Sequence, residues 1–105
     1  MVRLILEKEF ESPLTPEEHN AEAQRTDPCL EANQVRWIRS LLSSDRKRMV
    51  CEFEAADAES VRIAFRSAKV TFSRVWAAEL FEPGGGSHGG WKERLQAAEP
   101  GSPRP

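Results

Sequence analysis

The stretch that most constrains this chain is a pair of alternating apolar runs around a short polar connection. Val35-Arg-Trp-Ile-Arg-Ser-Leu-Leu42 is followed by Ser43-Ser-Asp-Arg-Lys47 and then by Arg48-Met-Val-Cys-Glu-Phe-Glu54. Side chains of a strand point to opposite faces in turn, so this is the pattern of two half-buried antiparallel strands and their turn. A lone hairpin is marginal in water and needs further strands or helices against its apolar face. The remaining chain must supply them.

Upstream, Val2 to Phe10 alternates apolar and polar positions and predicts a first strand. Ser12-Pro13-Leu14 breaks it. Thr15-Pro16-Glu17-Glu18 then reads as a helix start, with Thr15 as N-cap, Pro16 at the first helical position and an acidic first turn. Pro28 lacks an amide donor and disfavours helical geometry at Asp27, so a break is expected near Thr26-Asp27, with a second helical piece from Pro28 to Asn33. Downstream of the hairpin, Asp57 caps a helix carrying Ala58, Val61, Ala64, Phe65 and Ala68 on one stripe. Ser73 to Phe81 reads as a final strand, although Ala77-Ala78-Glu79-Leu80 also suits a helix.

After Glu82 the composition shifts to Pro83-Gly-Gly-Gly-Ser-His-Gly-Gly90. The expected division is therefore a folded domain over 1–82 and a Gly/Pro-rich flexible tail over 83–105, in which Trp91 to Ala98 can form a short helix. A length of 105 residues suits one small core. The order strand, helix, strand, strand, helix, strand is that of an α+β, ferredoxin-like βαββαβ fold (the alpha-beta plait), with helices on one face of a four-stranded antiparallel sheet.

That fold sorts the strand residues by face. Leu4, Leu6, Val35, Trp37, Met49, Cys51, Phe53, Val75 and Ala77 are expected beneath the helices. Ile5, Ile38, Leu42, Val50, Trp76 and Leu80 are expected on the other face, among Arg3, Glu7, Glu9, Arg36, Glu52, Glu54 and Arg74. So large an apolar set on a solvent face calls for a cover. A second copy of the sheet is the expected cover, giving a homodimer of the dimeric α/β-barrel type.

Charge and cysteine usage narrow the partners. A net charge of -2 with intermixed signs provides no basic field for nucleic acid. No apolar run reaches the length that spans a bilayer, so no membrane partner is expected. Cys29 and Cys51 form no disulfide framework, and the N-terminus turns charged too early for a signal peptide, which together point to a cytoplasmic protein.

Several of these residues also carry a family likeness. Val35-Arg-Trp-Ile-Arg-Ser, Asp45-Arg-Lys, Cys51-Glu-Phe-Glu-Ala-Ala-Asp-Ala-Glu-Ser-Val-Arg62 and Arg74-Val75 resemble the family catalogued as domain of unknown function 4242. The likeness runs from about Leu4 to Pro83. It implies a ferredoxin-like fold, dimerisation and binding of divalent nickel. Arg39 and Leu41 stand where members often carry His and Tyr, and another sequence around Lys69-Val-Thr-Phe72 replaces the usual Gly-x-Pro.

Candidate sites follow from donor chemistry. His19 and Glu22, three residues apart on the first helix, are the metal candidates together with His88 in the tail; a solvated helix face is the simpler account of the first two. Cys51 on the core face suits packing. Cys29 falls at the expected start of a helical piece, where a helix dipole lowers a thiol pKa. Ser40 or Cys51 with His19 is the conventional nucleophile and base pairing, and nothing in their spacing brings them together. The ligand-cavity candidates are Glu7, Arg36, Glu52, Glu54, Arg74 and Trp76, all expected on the open face, where enclosure would desolvate the charged pairs. Ordinary cross-strand ion pairs are the simpler account. Trp37, Trp76 and Phe53 need no ligand beyond packing.

The function expected on these grounds is a small soluble homodimer that binds a ligand or a metal, nickel being the metal the resemblance implies, and that performs no catalysis. Two alternatives stand beside it. One is a cavity enzyme of the isomerase or cofactor-free monooxygenase type; the other is an interaction module whose tail engages a protein through Trp91 and Leu95.

Overall fold

A computed structural model describes residues 1–84. The tail beyond them, with His88, Trp91, Leu95 and the expected helix over Trp91 to Ala98, lies outside the described residues. Six elements follow in the expected order: β1 (Val2–Glu9), α1 (Pro16–Ala32), β2 (Arg36–Leu42), β3 (Arg48–Ala55), α2 (Ala58–Ser67) and β4 (Arg74–Ala78). They form one antiparallel sheet in the order β2-β3-β1-β4. The expected α+β ferredoxin-like architecture is the observed one.

Local chemistry explains the helix ends. The Thr15 hydroxyl accepts the Glu18 N–H at 3.1 Å while the Glu18 carboxylate accepts the Thr15 N–H at 2.9 Å, a reciprocal capping box. Asp57 accepts both the N–H and the hydroxyl of Ser60 at 2.8 Å. These bonds, the backbone N–H first, hold the Asp57 carboxyl below its ordinary pKa. Both helices end alike. Gln34 and Lys69 take left-handed φ values of 56° and 58°, and Val35 and Val70 donate back to the Leu30 and Phe65 carbonyls.

The expected break in the first helix is not there. α1 runs unbroken through Pro28. Proline removes one backbone bond, but α1 has a full cap at each end, and both Thr26 and Leu30 are buried on the two sides of Pro28. Packing outweighs the local cost. Cys29 consequently lies in the last turn of a continuous helix, packed against the core, and not at a helix start.

The turn at Ser43–Lys47 ties the hairpin to the chain before α1. The Ser43 hydroxyl donates to Asp45 at 2.6 Å and Asp45 accepts the Lys47 N–H at 3.0 Å, which lowers the Asp45 pKa. Arg46, with φ of 63°, accepts the Leu14 N–H at its carbonyl at 2.8 Å, donates its own N–H to the Ser43 carbonyl at 2.8 Å, and donates its Nε to the Leu14 carbonyl at 2.9 Å. Those bonds compensate a strained backbone.

The core lies between the helices and one sheet face. Leu4, Leu6, Met49, Cys51, Phe53 and Val75 are buried there as expected, against Val61, Ala64 and Phe65 of α2. The Phe65 ring meets Phe53 and Phe72 edge to face, with centroids 5.6 and 6.2 Å away. Trp37 and Ala77 depart from the expectation: both belong to the helix-side set and both are exposed. They sit on the two edge strands, which the helices cover only in part.

A second departure comes from the register. Trp37 is opposite Phe53 and Arg39 is opposite Glu52, so Ile38 is an extra residue in β2. A bulge of this kind moves every later side chain to the other face. Ser40 and Leu42 therefore join the helix side, opposite Cys51 and Met49, and Arg39 and Leu41 move to the open side, opposite Glu52 and Val50. Leu42 was expected on the open face and is not there. β4 also stops at Ala78, short of the expected Phe81.

Candidate functional site

The open face can be read as three rows across the four strands. Arg36, Glu54, Arg3 and Ala78 form the first; Arg39, Glu52, Ile5 and Trp76 the second; Leu41, Val50, Glu7 and Arg74 the third. Arginines from the outer strands reach inward to carboxylates on the central ones. Glu54 accepts from Arg36 at 3.2 Å and lies 3.8 Å from Arg3. Glu52 pairs with both Arg3 and Arg39, the latter at 3.2 Å. On the far side, Glu7 lies 3.7 Å from Arg74 and accepts the Trp76 indole N–H at 2.7 Å.

All six cavity candidates therefore stand on one face, in two linked groups. Arg3 and Arg39 complete the larger group and were missing from the candidate set. Arg39 was hidden by the bulge, since simple alternation from Trp37 assigns it to the core side. The apolar residues make a diagonal between the groups. Ile5 at its centre is screened, whereas Leu41, Val50 and Trp76 expose 67%, 38% and 45% of their surface. Arg36, Arg39 and Arg74 are well exposed, whereas Arg3 and Glu52 are partly buried. Carboxylate and guanidinium pairs in reach of water are individually weak and gain strength when water is excluded.

The second feature is a cleft on the helix side, between α1 and the β2-β3 edge, with about 390 Å³ of space partly open to solvent. His19 and Glu22 both line it, together with Trp37, Ser40 and Cys51. Spacing gave no reason for His19, Ser40 and Cys51 to meet, but the bulge turns Ser40 toward α1 and brings them to one cleft. The bonds Ser40 makes run elsewhere: it accepts the Trp37 indole N–H at 3.0 Å and donates to Cys51 Sγ at 3.0 Å. Burial pushes the Cys51 thiol pKa up, against the smaller lowering effect of Ser40. That is the setting of an inert, packed thiol.

Lys8 forms part of the cleft wall and was not foreseen as a site residue. It is nearly buried, its ammonium 2.9 Å from Glu22 and 5.4 Å from the Phe65 ring centroid. A lysine at an alternate position of β1 must point inward, and only a carboxylate on the facing helix makes that tolerable.

Nickel would need several imidazole, thiolate or carboxylate donors converging on one point. Glu22 is engaged by Lys8, burial raises the Cys51 thiol pKa, and no three His, Cys, Asp or Glu side chains gather into a metal-binding group among the described residues. Among the described residues, His19 and Glu22 therefore lack a third converging donor.

Element order, sheet order and one helix-covered face define this as an α+β protein of the ferredoxin-like class. The family model for nickel responsive proteins described as SCO4226-like matches residues 4–77. The chain belongs to that family. Among solved structures it is similar to SCO4226 from Streptomyces coelicolor A3(2), with a TM-score of 0.68 at 12% identity over 76% of this chain and 99% of that one. No curated protein matches it. Among the described residues, no helix is long and apolar enough to cross a membrane.

Proposed function

We propose that the protein works as a cytoplasmic homodimer, its two open sheet faces stacked on each other, and that the enclosed Arg/Glu groups form a polar cavity that holds a small ligand without catalysis. One observation carries this reading: the exposed diagonal of Leu41, Val50 and Trp76 crosses a face whose charged residues are already paired within the chain. Internal pairing lets two identical faces approach without like-charge repulsion, and the apolar diagonal supplies the favourable area. Enclosure would then strengthen the Glu7, Glu52 and Glu54 pairs with Arg74, Arg3, Arg36 and Arg39, leaving a charged lining able to orient a polar molecule.

Light scattering at micromolar concentration is expected to give twice the mass of one chain. Leu41→Asp, which places a charge on the diagonal at a position of little consequence to the single chain, is expected to return one chain mass with circular dichroism unchanged. A monomeric wild type overturns the assembly.

Nickel is the second reading, favoured by the description of the family. It rests on His19 and on His88, which lies outside the described residues, because Glu22 is committed to Lys8. Calorimetric titration of untagged protein decides it. Saturable heat that His19→Ala and His88→Ala each diminish supports the reading; absence of heat removes it.

A further inference from the structure

The cleft between α1 and β2 carries an assignment of its own. We infer that it is a binding site for a small organic cation, an amine attached to a single aromatic ring. Three observations converge on that class. The floor is apolar, formed by Met49, Phe53, Phe65 and Leu30, which selects a hydrocarbon body over a bare ion. Trp37 stands at the wall with 46% of its surface exposed, and its indole N–H is tied to Ser40, so the ring is held in place before any ligand arrives. An exposed, oriented indole is the preferred partner for a cation.

The third observation is charge. Lys8 and Glu22 pair with each other within the lining, and Asp27 adds an exposed carboxylate, so the cleft holds two carboxylates against one ammonium group. An anionic ligand would meet the Asp27 carboxylate unfavourably, and an ammonium group would meet Asp27 and the Trp37 ring favourably. Lys8 serves here as a structural counter-ion rather than a ligand group. Its amine is already occupied by Glu22 and lies over the Phe65 ring. The site lies on the opposite side of the sheet from the proposed dimer face and does not depend on it.

The test is a nuclear magnetic resonance titration of the full-length ¹⁵N-labelled chain with benzylammonium, benzyl alcohol and benzoate at millimolar concentrations. Benzylammonium is expected to produce saturable shifts at the Trp37 indole and at Asp27, Ser40 and Cys51, with the Trp76 indole unmoved. The alcohol should bind less tightly and benzoate least. Trp37→Ala is expected to weaken benzylammonium binding by at least about threefold. Asp27→Asn should weaken benzylammonium and leave the alcohol unchanged, which a merely structural role for Asp27 would not do. Trp76→Ala and Leu41→Asp, both on the other face, should leave the titration unaltered. Shifts confined to the open face, equal or tighter binding of benzoate, or indifference to Trp37→Ala would each overturn the assignment.

Discussion

The two faces of this sheet are built from the same strands and do opposite work with the same residue types. On the helix side the Lys8–Glu22 ion pair lies, nearly buried at the lysine, among aromatic and aliphatic side chains. On the open side Arg3, Arg36, Arg39 and Arg74 are interleaved with Glu7, Glu52 and Glu54 and remain in reach of water. A buried pair is costly to break, because each partner is left desolvated, whereas exposed pairs contribute little in a single chain. The helix side therefore holds the fold together. The open side is available for association.

The sharpest test of that contrast sets two aromatics against each other. Phe53→Ala, on the helix side, is expected to cost about 3–5 kcal/mol by denaturant unfolding. Trp76→Ala, on the open side, should cost no more than about 1 kcal/mol in a dimer-free background such as Leu41→Asp. Comparable costs would mean that the open face is part of the stabilising core. The ion pairs extend the comparison at smaller scale. Glu22→Leu leaves Lys8 unpaired and is expected to cost about 1–3 kcal/mol, against about 0.5 kcal/mol for Arg39→Ala.

The smallest effect lies at the start of α2. The folded-state pKa of Asp57 is below the ordinary 3.8, so its contribution is present above that value and disappears as pH falls through the lowered one. Asp57→Asn does not titrate. The difference in melting temperature between wild type and Asp57→Asn should accordingly be largest above pH 4 and shrink as the solution is acidified below it. A difference that stays constant with pH would show that the cap acts through geometry alone.

Much of the fold was legible locally. Thr15-Pro16 and Asp57 announce helix starts by capping chemistry, and the alternation of Leu4, Leu6, Met49, Cys51 and Phe53 identifies the buried side of the two central strands. The shared face of Glu7, Arg36, Glu52, Glu54, Arg74 and Trp76 was legible for the same reason, since alternation alone assigns them to one side of the sheet. Legibility stops at Ile38. A bulge leaves no mark in the apolar pattern, because Leu41 and Leu42 are adjacent and either suits either face.

Residue order by itself therefore determined the sequence of elements, the helix caps and the apolar side of the central strands, all set by interactions reaching only a few positions along the chain. Tertiary structure decided the rest. It kept α1 continuous through Pro28 because burial of Thr26 and Leu30 outweighs one missing backbone bond. It also moved Arg39 onto the charged face and placed Ser40, Cys51 and His19 around one cleft, because strand register depends on pairing across the sheet.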